Sequence, residues 1–540
     1  MHDHAPMHAL QSNRSRLLRR AQRAHEAGEL ESAERLYGAA LEHRPQSFDA
    51  LHGLGQIKYL RGSLATALAL IQEALKLDRE RAEGFASLGL IFHALNDFER
   101  ALRSYDEGLR LAPGNAELCN GRGVALLQLG RPAEALQNFE RALAADPAHR
   151  DALGNRGNSL FRLNRPAEAI ETYDRALARD PGDVRLLTNR AIALRRLDRP
   201  HEALMSAARA IADRPDFAPA RFVEASVRLS LGDFAAGWRG YEWRWGGALA
   251  GQRRKLAAPL WLGKQSVEGK TILLHAEQGF GDTIQFVRYA PLLSARGARV
   301  VLEVQPQLLR VLSGMSGIDS VLPRQAPLPE FDFHCPLLSL PLAFGTEPAT
   351  IPAGIPYIAP PADAVAAWRA RLPPPPRRRR PLVGLVWSGE RAHDNDLNRS
   401  LRLAALAPLL DIADVQFVSL QHDVREQDAP FLQSRAELLQ IGREFSDFAD
   451  TAAAIAQLDA VISVDTAVAH LVGAMGKPLL LLLPFAADFR WLRARDDSPW
   501  YPSARLFRQR QFDDWSGAVE ALRQELTCAA FTSYGRRLSA

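Results

Sequence analysis

Two short segments of this 540-residue chain combine residue types that can move a proton and hold an anion. The first is His275-Ala276-Glu277-Gln278-Gly279-Phe280-Gly281-Asp282-Thr283, which continues the apolar run Thr271–His275. Its glycines, Gly279 and Gly281, would let the backbone turn sharply at the carboxyl end of a strand, where open α/β sheets bind ligands. Asp282 then opens a helix. A carboxylate there can serve as a general base, although aspartate is also a favoured N-cap and would stand there for that reason alone. The second segment is Asp465-Thr466-Ala467-Val468-Ala469-His470, after the run Ala460–Val464 and ahead of a small-residue helix ending near Gly476. The start of such a helix presents free N–H groups and a positive dipole end to a phosphate. Asp465 and Thr466 can cap it and contact a ribose or phosphate, and His470 returns to the face of Thr466 one turn later. A cap followed by a buried histidine would also account for this segment.

The elements that must position these residues alternate between strand and helix from about residue 268. Apolar runs at Thr271–His275, Arg299–Val304, Leu382–Trp387, Val415–Leu420, Ala460–Val464 and Leu479–Leu483 are separated by helical stretches, a pattern that predicts parallel sheets covered by helices. Pro373–Pro376 followed by Arg377–Arg380 divides this region as a stiff, solvated interdomain linker. Two Rossmann-like halves joined by one linker resemble the GT-B glycosyltransferases, whose active site lies in the cleft between the halves.

The first half of the chain is periodic. Gly28, Gly62, Asn96, Gly130, Asn164, Asp198 and Gly232 fall one 34-residue period apart, and all three residue types tolerate the positive φ of a tight helix-to-helix turn. Five residues after each stands a small residue (Ala33 through Ala203, then Gly237), and four further on the ladder reads Tyr37, Ile71, Tyr105, Phe139, Tyr173, Ala207, Tyr241. Proline closes most units. This grammar resembles the tetratricopeptide repeat (TPR), a stacked helix-pair solenoid that holds other proteins. Asn155 and Asn189 lie one period apart on the helices that line the concave face, with Asn120 one residue off register; Arg122, Arg156 and Arg190 repeat beside them. An amide ladder can hold an extended peptide backbone and arginines can read acidic side chains; the arginines can equally pair with neighbouring repeats.

Composition narrows the function classes. The chain is 47% hydrophobic and 24% charged, with 67 basic against 62 acidic residues, and it shows no dense basic face interleaved with aromatics, so no nucleic-acid role is expected. The longest apolar run, Leu479–Leu483, is far short of the ~20 residues that span a bilayer, and no segment has the parts of a signal peptide. Cys119, Cys335 and Cys528 are too widely spaced for a disulfide framework or zinc site. A cytoplasmic protein without a metal is expected.

Gly-x-Gly-Asp after a first strand, then Asp-Thr-Ala-x-x-His ahead of Gly476-Lys477-Pro478 and a leucine strand, resembles the heptosyltransferase-type GT-B family, and Val383-Gly384-Leu385-Val386-Trp387-Ser388-Gly389 is similar to the start of its donor-binding domain. With a TPR arm that includes Leu231-Gly232-Asp233-Phe234 and Trp238…Tyr241-Glu242-Trp243-Arg244-Trp245, residues 14–530 look like the bacterial TPR-glycosyltransferases, some of which modify flagellin. The resemblance implies that Asp282 is the acceptor-side base and that Asp465, Thr466 and His470 lie at the nucleotide-sugar phosphate. It implies that Arg399, where the family has lysine, faces the leaving phosphate, and that Gln421 reaches the base or ribose. Ala467 stands where the family has glycine. It also implies a metal-independent, inverting reaction with no cofactor.

The expected fold class is thus α plus α/β: a disordered tail at 1–13, six full repeats and a divergent seventh at 14–245, an acceptor-side Rossmann-like domain at 246–372, the linker at 373–380, a nucleotide-sugar domain at 381–530 and a tail at 531–540. Trp238, Trp243 and Trp245 are expected to pack the end of the repeats against the next domain. The expected function is transfer of a sugar from a nucleotide sugar, a CMP-nonulosonate being favoured, to serine or threonine of a protein held by the repeats, flagellin first among acceptors. Two alternatives stay open: a transferase of surface polysaccharide or lipopolysaccharide synthesis, and a non-catalytic scaffold with a degenerate transferase module.

Overall fold

The computed structural model describes residues 5–247, 249–372 and 380–528. The Pro/Arg linker, except Arg380, and the tail at 531–540 lie outside the described residues. The first helix runs from Ala5 to Glu26 and so includes residues 5–13 of the segment expected as a tail. Pro6 sits in its first turn, where proline's missing N–H costs nothing, and no glycine or later proline interrupts it.

The chain divides into two compact units, residues 1–181 and 182–540. In the first unit ten helices, from Ala5–Glu26 to Pro166–Leu177, pair into antiparallel hairpins that stack on their neighbours. The turns carry positive φ at Gly28, Gly62, Asn96, Gly130 and Asn164. Ala33, Ala67, Ala101, Ala135 and Ala169 are fully buried where the helices cross. The large side chain that follows each one, aromatic in all but Ile71, needs room on a neighbouring helix. A Cβ on Gly157 would stand 2.3 Å from the Tyr173 ring, whose hydroxyl is tied to Asn158 Oδ1 at 2.8 Å. Gly157→Ala is therefore expected to destabilise the first unit by about 1–3 kcal/mol through overpacking, read as a lowered thermal midpoint.

The second unit opens with two more hairpins, Val184–Arg196 with Pro200–Asp213 and Ala218–Ser230 with Phe234–Tyr241. Their turns have positive φ at Asp198 and Gly232. Trp238, 2% exposed, meets Phe286 and Phe489 edge-on. Trp243 and Trp245 are only half-buried, and each lies beneath a guanidinium, those of Arg221 and Arg244.

Two parallel sheets follow. The first joins β1 (Thr271–His275), β2 (Arg299–Val304), β3 (Ser320–Pro323) and β4 (Phe333–Pro336) in the order β3-β2-β1-β4. The second joins β5 (Leu382–Val386), β6 (Gln416–Ser419), β7 (Leu439–Gln440), β8 (Ala460–Val464), β9 (Leu479–Leu483) and β10 (Ala504–Arg508) in the order β10-β9-β8-β5-β6-β7. Both orders reverse direction beside their first strand, as in doubly wound folds, so a switch point lies between β1 and β4 and another between β5 and β8. The second sheet is buried on both faces: Leu479, Leu481 and Leu483 join one hydrophobic core, Leu480 and Leu482 the other.

Candidate functional site

The sheet residues singled out in the sequence follow β1, β5, β6 and β8, and β1, β5 and β8 flank the two switch points. β1 leads to Gly279, the N-cap of the helix Phe280–Phe286. Asp282 is the third residue of that helix and not its cap; its Oδ2 accepts the Gly279 N–H at 2.9 Å and closes the turn. Neither Gly279 nor Gly281 has positive φ, so the turn does not rest on glycine's left-handed freedom as expected. Gly281 is required by a close approach: a Cβ there would stand 2.7 Å from His470 Cδ2 and 3.5 Å from Ala467 Cα. The helix after β1 closes in this way on the helix Ala467–Ala474 after β8, and the two segments meet.

Charge is concentrated at this meeting. Asp282 Oδ1 accepts Arg490 Nη2 at 2.5 Å, and Arg490 Nη1 donates to Asp488 Oδ1 at 2.7 Å. Burial works against the Arg490 charge, and Asp488 and Asp282 more than offset it. The Asp465 carboxyl is pushed up to about 6, by burial first and by Asp488 second, with Arg399 opposing. Arg399 Nη1 donates to the Asp465 carbonyl at 3.0 Å. Its guanidinium lies against Gly389, where a Cβ would stand 2.7 Å from Nη2, and its Nε has no partner. Thr466 precedes the helix at the N-cap position, but its side chain makes no cap bond and lies 3.1 Å from Ser463 Oγ. Arg399, Arg490 and the helix start are the groups that can hold a phosphate. Among the described residues no cluster of histidine, cysteine and carboxylates could hold a metal ion.

Two expected ligand residues have their polar groups committed to the protein. Gln421 Oε1 accepts the Trp387 and Ser388 N–H groups, both at 3.1 Å, and its Nε2 donates to the Ser388 and Asp423 carbonyls at 3.0 and 3.2 Å. It shapes the turn after β5 that receives Arg399. His470 is stacked on Trp491 with ring centres 5.3 Å apart, and its Nδ1 lies 3.0 Å from the Tyr501 hydroxyl.

Burial first, with Arg490 adding to it, brings His470 down to about 3; burial with His334 does the same for His275. Between about pH 6.5 and 3 the unfolded chain therefore binds protons that the folded chain refuses, and stability is lost as pH falls through that window. Each histidine is expected to contribute a slope of up to about 1.4 kcal/mol per pH unit. Urea midpoints measured from pH 7.5 down to 5 should show it, and His275→Phe should reduce it.

Arg490, Asp488 and Trp491 were not anticipated. They follow β9 in Asp488-Phe489-Arg490-Trp491, a charged and aromatic string at the carboxyl end of a strand, which was the available signal. Arg195 was missed as well; it is solvent-exposed on the helix Val184–Arg196, and its charge helps hold Asp488 ionised.

In the first unit Asn155 Nδ2 donates to Asn120 Oδ1 at 3.0 Å, so two members of the amide ladder hold each other. Arg122 pairs with Asp106 at 2.7 Å, and Arg156 bonds Thr172 Oγ1 at 2.6 Å with Glu140 3.5 Å away. These arginines are engaged by adjacent helices. Asn189 and Arg190 lie on the helix Val184–Arg196 of the second unit.

The tetratricopeptide-repeat family model matches residues 18–82, 65–116, 86–139 and 120–184, and the chain carries a TPR region that folds as paired helices. Protein FlbA of Caulobacter vibrioides is 27% identical over an alignment of 334 positions that covers 56% of this chain and 53% of FlbA. The chain thus spans about half the length of that curated relative. Among solved structures, YrrB, described as a TPR protein with an unusual peptide-binding site, is 22% identical with a TM-score of 0.30 over 34% of this chain and 95% of YrrB. PilF of Pseudomonas aeruginosa is 20% identical with a TM-score of 0.37 over 40% of this chain and 99% of PilF.

Proposed function

We propose that this chain is a TPR-armed glycosyltransferase of the GT-B type, moving a sugar from a nucleotide sugar to a hydroxyl of a protein recruited by the repeats. The observation that carries this reading is the closure of two helix starts from two doubly wound sheets at Gly281 and His470, with Asp282, Arg490 and Arg399 gathered around it. Asp282 takes the proton of the acceptor hydroxyl as the anomeric carbon is attacked. Arg490 has a second carboxylate in Asp488, so Asp282 can release it as the hydroxyl arrives. Arg399 and the start of the helix Ala467–Ala474 receive the departing nucleotide phosphate. His470 supports that helix from beneath, and Gln421 holds the turn on which Arg399 rests.

In the favoured version the protein works in the cytoplasm, the acceptor is flagellin, and the donor is a CMP-nonulosonate. The test is the intact mass of flagellin from cells with the gene, without it, and with Asp282→Ala. Loss of the same mass increment in both altered strains supports the reading, and the increment names the sugar class. An unchanged mass where flagellin is expressed removes that acceptor. The engagement of Gln421 and His470 within the protein favours a second reading, a docking scaffold with no turnover. Full function of the Asp282→Ala protein in the deletion strain would support it.

A further inference from the structure

A second recess lies along the loop that carries Arg490. While Asp488, Arg490 and Trp491 belong to the candidate site, Arg493 and Arg495 line a separate cavity of about 800 Å³, together with Asp198, Asp497, Arg508 and Gln509. That volume falls within the ~300–1,000 Å³ of small-ligand sites. The cavity sits at the carboxyl ends of β9 and β10, against the turns of the last two helical hairpins.

Its charges do not balance. Arg493 Nη2 pairs with Asp198 at 2.8 Å, and Arg495 grips Asp497 at 2.7 and 2.6 Å. Arg508 has only the carbonyls of Arg495 and Trp491, at 2.9 and 2.7 Å, and no carboxylate in contact. All three arginines keep Nη1 uncommitted. Burial above all, with Asp198 opposing and Arg495 and Arg493 adding smaller repulsions, brings Arg508 down to about 10. Gln509, 4% exposed on the same wall, is fixed by accepting the Phe485 N–H at 2.9 Å, and its Nε2 donates to nothing. Donors outnumber acceptors, and guanidinium groups grouped in this way suit the paired oxygens of a carboxylate or phosphate. The backbone between this cavity and the candidate site is held in sparsely populated conformations, at Leu492 (φ 52, ψ −164) and Ala494 (φ 50).

We propose that this cavity binds a small anionic ligand through a carboxylate or phosphate held by Arg508 together with Arg493 and Arg495. The site does not depend on the chain being a transferase. The experiment is calorimetric titration of the full chain with inorganic phosphate and, separately, with glucuronate, which tells the two anionic groups apart. Saturable binding of either is expected. Gln509→Glu keeps the oxygen that accepts from Phe485 but adds negative charge, and it should weaken binding at least tenfold. Asp198→Asn tolerates the same positive φ while freeing Arg493, and it should tighten binding several-fold, an effect that misfolding cannot imitate. No saturable binding of either anion at tens of millimolar overturns the proposal. So does binding that is indifferent to both substitutions but lost in Arg399→Ala, since the anion would then sit at the candidate site.

Discussion

Replacing Arg244 by alanine is expected to cost the second unit about 3–5 kcal/mol of stability, the penalty of leaving a buried carboxylate without its partner. The Arg244 side chain has no exposure and that of Glu277 has 3%. Its Nη2 bonds both Glu277 oxygens at 3.1 Å and Ser339 Oγ at 2.8 Å, and its Nη1 bonds Glu242 at 2.7 Å. Without the guanidinium, Glu277 keeps only the Leu338 N–H, at 3.1 Å. Burial already pushes Glu277 up to about 7 against the pull of Arg244. In the variant the carboxyl takes up a proton on folding, so its stability deficit shrinks as pH falls and grows as pH rises toward and past 7. Arg244→Met combined with Glu277→Leu removes both charges and should recover most of the loss. Urea unfolding of the single and double variants measures this. A single variant within about 1 kcal/mol of the parent would show that the ion group does not hold the last repeat onto the first sheet.

Asp282→Asn is expected to lower transfer by about 10²–10⁴-fold, the usual worth of a general base, while the protein still unfolds cooperatively, at a thermal midpoint lowered by the loss of one of the two Arg490 partners. Asparagine retains an oxygen for the Gly279 N–H, so the turn after β1 persists; what it loses is the capacity to take a proton and the second oxygen, which accepts from Arg490, leaving that guanidinium to Asp488. Release of free nucleotide from a panel of sugar nucleotides, with and without acceptor protein, separates the two properties. If Asp282→Asn keeps full turnover, Asp282 acts only as a helix-start ligand and partner of Arg490, and Asp488 becomes the carboxylate to test.

The repeats were legible because each one states its own rules. A left-handed turn, a small crossing residue and an aromatic wedge recur at one spacing, and local geometry explains each. Six strands were legible as apolar runs because they are buried. Ser320–Pro323 escaped because it is a half-buried edge strand, and Phe333–Pro336 because histidine and proline interrupt its apolar residues. Ala504–Arg508, at an edge of the second sheet, has two arginines among its apolar residues. The candidate site was legible where backbone made it, at the ends of β1 and β8. It was illegible where side chains made it. Asp282 and Arg490 are 208 residues apart, and no spacing rule links them. The reason for Gly281 is a histidine far along the chain, and Gln421 looks like a ligand until its four hydrogen bonds are seen.

The leucine strand β9 carries a consequence of a different kind. With leucine at all five positions and both faces buried, a slip of one residue would put leucine where leucine had been, so its side chains hold no facial code. The information that places it is written at its borders. Gly476 turns the chain at φ 67, Lys477 Nζ clasps the Ala456 and Leu458 carbonyls at 3.0 Å, and the Pro478 carbonyl receives the Val461 N–H. At the far end the Leu483 carbonyl receives the Gln509 N–H. Since Asp488 and Arg490 come five and seven residues after Leu483, the reading frame of the charged site is inherited from punctuation around a word that spells the same in every frame.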